Sequence, residues 1–445
     1  MNKLSFFITV LLGITVQLNA QLKQDSLAVD TVTTLLLPPP SALYNYTSPY
    51  LSNPFNDQLR TGASNRFVVD FDYYANSNSV PTSIVYAMLF KNEVKDVWKD
   101  RAAKRMKAGL KFEDFMNTGL TYKHYFKKWD GTVMVDYHHR QMRIIRGSRD
   151  AFELLFYGNA RFEDKTADLS NITFINHIYN QIGVAVEKKV VYSHYQMEYG
   201  VRATFLQAIN DQEIRTGKTT IYTAPDGEYI DLNYDLTFNT GREGATNFLQ
   251  VNGAGASGDF HLAVMNHDKW RISADLFDVG YMQFRKTPVN YTGAKSIHFQ
   301  GIVLPDLLNF SAQTFDTLKI ADTLRGYLPS KSTNQYGVFM PFSAQVVFSK
   351  PILSNKVVIN FGLMYRYLPQ YYVYGFAKVN YFIKPDMVFS ASAGAGGYSL
   401  FNLGAEFSKA WKYFDFTVGS ANLIGLMAPT HFPGASVYLR LGTSF

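Results

Sequence analysis

The sequence predicts an all-β protein, a transmembrane antiparallel up-and-down β-barrel of about 14 strands, within a range of roughly 12 to 18, carrying one or two short helices. Three observations lead there. Period-two alternation of apolar and polar residues recurs almost without pause from residue 65 to the C-terminus. No run of eighteen or more apolar residues follows residue 20, so any membrane crossing has to be made by strands. The chain also ends on a strand pattern that closes with Phe445.

The N-terminus reads as an export signal. In MNKLSFFITVLLGITVQLNA, Lys3 precedes a short apolar run and a small-residue approach to a cleavage site between Ala20 and Gln21. Residues 21–64, with Pro38-Pro39-Pro40, hold no sustained period and read as an extended leader or a segment tucked into the pore. Residues 65–445 are assigned to the barrel, beginning with Phe67, Val69, Phe71 and Tyr73 on one face of a first strand. Between 82 and 108, apolar residues fall near helical spacing and end in KDRAAKRMK. This predicts one helix that caps or plugs the barrel, its Lys99, Arg101, Lys104 and Arg105 forming a solvated face rather than a docking surface.

From Asn117 the strand signal returns, with Asp130-Gly131 marking a hairpin. The stretch Val191–Phe205 alternates without a break, longer than the roughly 9 to 11 residues a transmembrane strand needs. YIDLNYDLTFN (229–239) alternates equally cleanly. Two glycine-rich runs lack the features of a phosphate loop: NGAGASGD (252–259) reads as a flexible loop and SAGAGGY (392–398) as a strand kink. Irregular stretches at 143–170, 240–256 and 304–333 are candidate extracellular loops or inward-folded hatches.

Composition fits this class. There are 35 Phe and 30 Tyr against 4 Trp, natural for a barrel with aromatic girdles, and no Cys, so the fold has to be held by buried area and backbone pairing. The apolar faces are Tyr, Phe, Leu and Val, as suits lipid, and the wet faces are mixed, small and often uncharged, as suits a lumen. The net charge of +7 in an exported chain points to anionic lipid or solutes rather than nucleic acid. At the C-terminus Val437, Leu439, Leu441 and Phe445 share one face.

Three phrases, LLFYGNARFEDKTADLSN (154–171), DGEYIDLNYDLTFNTG (226–241) and WRISADLFDVGYMQFRK (270–286), resemble a family of Bacteroidota outer-membrane barrels known only as a domain of unknown function. The resemblance runs from about residue 65 to the C-terminus. It implies a barrel of the general kind of the fatty-acid transporters and of the type IX secretion barrel subunits, and carries no site residues. A terminal Phe also resembles the signal read by the barrel-assembly machinery, with Thr443 standing where an apolar residue is usual.

Candidate chemistry is sparse. His138 and His139 are adjacent on a strand and point to opposite faces, so they cannot converge, and no nucleophile stands at useful spacing. His194, Glu198 and Arg202 share a face expected to line the lumen and touch a permeant solute. Asp231, Asn233 and Asp235 share another, read as lumen carboxylates paired with neighbouring strands rather than as a cation site. No cofactor or metal is called for. The expected function is non-enzymatic passage of small, including hydrophobic, solutes through a cell outer membrane. The alternative is a plugged accessory barrel of a secretion, adhesion or gliding-type surface assembly.

Overall fold

The computed structural model describes residues 54–56, 62–90, 93–242, 251–286, 288–300 and 329–445. Its strands in chain order are β1 (Asn65–Ser77), β2 (Leu110–Phe126), β3 (Gly131–Gly147), β4 (Lys165–Asp168), β5 (Thr173–Val191), β6 (Tyr195–Thr216), β7 (Thr220–Thr223), β8 (Ile230–Thr240), β9 (Gly253–Asn266) and β10 (Arg271–Phe284). They continue with β11 (Val289–Phe299), β12 (Ser330–Ser332), β13 (Tyr336–Phe339), β14 (Ser343–Ile352), β15 (Val357–Arg366), β16 (Tyr372–Lys384), β17 (Met387–Gly397), β18 (Ser399–Ala410), β19 (Phe414–Ser420) and β20 (Ala435–Ser444). The helices are α1 (Thr82–Leu89), α2 (Asp96–Arg105), α3 (Arg149–Tyr157) and α4 (Leu423–Met427), with 3-10 turns at Pro54–Asn56, Asn159–Phe162 and Pro225–Gly227.

Fourteen of these strands form a ring of antiparallel neighbours: β1, β2, β3, β5, β6, β9, β10, β14 to β20 in sequence, and back to β1. β1 closes on β20 over ten residue pairs, Arg66↔Ser444 to Ala75↔Ala435, and Ser64 and Asn65 donate their amides to the carbonyl of Phe445. Closure leaves no unpaired edge, which hydrocarbon would not tolerate. Side chains alternate as the sequence implies. On β1, Phe67, Val69 and Phe71 stand outward and exposed while Arg66, Val68, Asp70 and Asp72 are buried inside; on β20, Val437, Leu439 and Leu441 face out.

The remaining strands build an extension at the end of the ring opposite the chain ends. β6 pairs with β9 from Tyr195 to Ala208, then its tip, Gln212 to Thr216, changes partner to β8. A bulge at Ile209 allows the change. β8 pairs in turn with β7 and β11, so YIDLNYDLTFN stands above the rim, and its apolar residues do not meet the membrane.

Two other expectations change. The single helix over 82–108 is two short ones, α1 and α2, because Lys95 is extended and opens a new helix. They lie at the loop end: Thr82 donates to the carbonyls of Phe432 and Gly434, and Arg105 Nη1 donates to His431 O at 2.6 Å. The glycine-rich 252–259 is strand β9 rather than loop, since at Gly253 and Gly255 a Cβ would stand 2.1 Å from the β10 carbonyls of Gln283 and Tyr281. That close approach requires glycine. Most of 304–333 lies outside the described residues.

Candidate functional site

The wall's inward positions are far more charged than the sequence suggested. Among the described residues they fall into layers from the loop end to the end that carries the termini. Outermost is a mouth of about 430 Å³, lined by Ile144, Ile175, Val338, Phe339 and Leu368 with His177, Glu213 and Arg215. Beneath it a buried cluster of aromatic and aliphatic side chains, including Tyr74, Phe115, Met142, Met364, Tyr371 and Tyr374, fills the bore.

In this layer Arg366 Nη1 lies 3.4 Å from Glu113 Oε2, both residues buried. β15 and β2 are seven steps apart round the ring in either direction, so this pair crosses the full lumen. Two side chains span such a barrel only if the ring is flattened here. Arg366 also lies over the rings of Tyr74 at 5.1 Å and Phe115 at 5.6 Å, and Asn76 Nδ2 donates to Glu113 at 3.1 Å. Glu113 and Arg366 thus compensate each other, as burial demands.

Deeper lies a second network. Arg202 donates through Nε to Asp136 at 2.9 Å and through Nη1 to Asp259 at 2.6 Å; Arg140 Nη1 meets both oxygens of Asp278 at 2.8 and 2.9 Å. Asp278 reaches inward because β10 bulges between Leu276 and Val279, with Asp278 in the left-handed region at φ 58°. Its amide donates to Asp259 Oδ1 at 2.7 Å and Gln181 Nε2 to its carboxylate at 2.7 Å. One void beside these groups measures about 20 Å³, room for roughly one water.

Toward the terminal end sits Phe55, wholly buried although it precedes the barrel in sequence. Its ring stacks on His261 at 5.3 Å and 8°, and Lys123 Nζ donates to the carbonyl of Pro54. Gly200 makes space for it, since a Cβ there would stand 2.5 Å from the ring.

The residues singled out by sequence separate. Glu198 and Arg202 are buried inside the wall, Glu198 between Lys189 at 3.0 Å and Arg271 at 3.2 Å. His194 is not with them: β6 begins at Tyr195, leaving His194 exposed in the hairpin turn beside the ring of His267. Asp231, Asn233 and Asp235 also lie outside the lumen, on β8 above the rim. There His298 Nδ1 meets Asp231 Oδ1 at 2.6 Å, and Asn233 and Asp235 are exposed. His138 is inside, 3.6 Å from Asp136, and His139 outside, 2.8 Å from Asn180, the opposite faces that alternation requires.

Cross-lumen partners were not legible, because Glu113 and Arg366 are 253 residues apart. Phe55 was hidden by the aperiodic segment around it, where it is the one Phe of residues 21–64 and follows Tyr44, Tyr46 and Tyr50.

A closed ring with apolar side chains outward and polar and charged ones packed within defines the class: a transmembrane β-barrel with a filled interior. Residues 63–421 match the model of a family of unknown function, DUF5723, and the chain belongs to that family. No curated protein sequence matches. Among solved structures, the chain is similar to a loop-deletion mutant of the TodX monoaromatic hydrocarbon channel (TM-score 0.45, 7% identity, 89% of this chain and 95% of that one). It is also similar to the P. putida toluene transporter TodX (0.43, 8%, 86% and 90%) and to a Pseudomonas aeruginosa FadL homologue (0.39, 8%, 92% and 94%).

Proposed function

We propose that this is a non-enzymatic outer-membrane barrel that passes small apolar solutes by opening an interior closed at rest. The observation that carries the reading is the aromatic and aliphatic cluster that fills the bore beneath a vestibule of about 430 Å³, whose own lining is apolar and polar in equal parts. A passive, permanently open porin does not fit a bore crossed by Arg366 and Glu113 and occupied by Phe55. In this reading the N-terminal segment is a plug, the outward apolar faces meet outer-membrane lipid, and the C-terminal strand is what the barrel-assembly machinery engages.

The same crossing supports the second reading, a plugged scaffold whose loop-end extension docks a surface-assembly partner. Planar-bilayer recording of the purified protein separates them. The transport reading expects a silent wild type and discrete conductance steps once Phe55 and Arg366 are both replaced by alanine. A double variant that folds and stays silent, with a partner co-purifying in mild detergent, refutes transport.

A further inference from the structure

The outer face of the wall over β2, β3, β5 and β6 changes character twice. One cross-strand row, Leu120, Tyr137, Ile182 and Phe205, is apolar and faces outward. The next row toward the loop end is polar: Thr118, His139, Asn180 and Gln207, linked by His139 Nδ1 to Asn180 Oδ1 at 2.8 Å and Asn180 Nδ2 to Gln207 Oε1 at 3.2 Å. Such a row marks where the hydrocarbon band ends on this side. Beyond it stands Asp114 paired with Arg143, and then the wall becomes apolar again with Phe112 opposite Ile145 and Leu110 opposite Gly147.

These last residues are beyond the hydrocarbon, yet they are not bare. α1 and α3 arch over them and enclose a cavity of about 480 Å³, inside the roughly 300–1,000 Å³ range of small-molecule sites. Ile84, Phe152 and Phe156 form its roof, and Met88 and Leu155, 58% and 72% exposed, form apolar lips at its entrance. Of the charged residues along it, Arg143 and Asp114 stand on the outer face with Phe112 and Ile145, whereas Arg146, next to Ile145 on the strand, faces the bore, where its charge reaches Tyr398. Arg143 gives Asp114 one hydrogen bond, at 3.2 Å, out of five N–H donors.

We propose that this cavity binds a small amphiphile with an apolar body and an anionic head, of which a medium-chain carboxylate is the simplest case, the head meeting Arg143. The apolar space and lips accept the chain, and Arg143, which gives Asp114 a single hydrogen bond, meets the head. The site stands whether or not the interior conducts, so binding and conductance fail independently.

The test uses the full chain in lipid nanodiscs with Trp129, Trp270 and Trp411 changed to Phe. The remaining Trp98 packs against the Ile84 and Phe152 cluster and reports occupancy. Titration with 12-bromododecanoate is expected to quench it saturably, with competition by unbrominated decanoate. Ala151→Phe, which fills the cavity, and Leu155→Glu, an exposed change that folding tolerates, are each expected to weaken carboxylate binding roughly tenfold or more. The pair Asp114→Asn with Arg143→Gln should weaken 12-bromododecanoate by a similar factor and leave 12-bromododecanol unchanged. Quenching that rises linearly with the same slope in Ala151→Phe means partition into the bilayer alone and overturns the site. Equal binding of acid and alcohol, insensitive to the double variant and to Leu155→Glu, overturns the choice of head group.

Discussion

Replacing Arg366 by methionine removes the cation that crosses the lumen and strands Glu113, which is 2% exposed and keeps the Asn76 amide as a hydrogen-bond donor at 3.1 Å. Breaking one side of a buried pair costs about 3–5 kcal/mol, so the folding equilibrium should fall by roughly two to four powers of ten. Part of that loss comes from the Tyr74 and Phe115 rings, which give up a cation at 5.1 and 5.6 Å but keep an apolar neighbour in methionine. Adding Glu113→Gln removes the stranded charge and should recover at least half of the loss, because a neutral pair of similar volume avoids the desolvation penalty. The assay is urea unfolding in detergent, followed by the heat-modifiable shift on gels, for wild type, both single variants and the double. A single variant within about 0.5 kcal/mol of wild type, the range of ordinary surface changes, would refute the claim that this pair is desolvated across the bore.

Other consequences can be checked alongside. Gly200→Ala places a Cβ against the Phe55 ring and should expel it, losing roughly 1.5–3 kcal/mol of burial and exposing the N-terminal segment to limited proteolysis. Asp278→Asn keeps a residue that tolerates φ 58° but removes the charge facing Arg140, whereas Asp278→Ala loses both; the alanine should be the less stable by about 1 kcal/mol or more. Lys378→Met leaves Glu406 buried with Ser390 and Tyr438 as its hydrogen-bond donors and should cost about 3–5 kcal/mol, partly restored by Glu406→Gln. In the helical cap, the Tyr157 hydroxyl and then Arg161 hold the Asp100 carboxyl below its usual range. A lowered carboxyl stabilises above its unfolded value near pH 4 and loses that contribution as pH falls through its folded value, so protection of α2 from proteolysis should hold at pH 6 and drop only once the pH falls below about 4.

The wall was readable because alternation reports which face is buried whatever lies on either side of it. That is why β1 and β20 appear close to where the sequence puts them. The same signal misled at Ile230–Thr240, since a two-faced strand in a rim extension alternates as cleanly as one in the wall. It also ran too far at His194, because alternation does not reveal that Tyr192 donates its amide back to the Tyr195 carbonyl and turns the chain before the strand begins. The interior pairings were invisible for a different reason. Asp136, Arg202 and Asp259 each look like an isolated charge on a strand, and only closure of the ring brings them together. The lateral cavity needed still more: Phe112 and Ile145 become a site floor only once α1 and α3, set in two separate loops, meet above them.

The layering also bounds how the bore could open. If opening broke only Glu113–Arg366, at about 3–5 kcal/mol, the open form would be populated at roughly one part in a hundred to one in several thousand, within reach of a ligand that prefers it. If the Arg140 and Arg202 networks had to part as well, comparable costs would add and no small apolar ligand could supply them. A solute path therefore has to displace the aromatic layer and Phe55 while leaving those two arginines in place. Neutralising Arg202 together with Asp136 and Asp259 should then destabilise the barrel without creating conductance, whereas alanine at Phe55 and Arg366 should create conductance with the deep network intact. The opposite pattern would place the barrier in the charged layer and remove the case for an apolar solute.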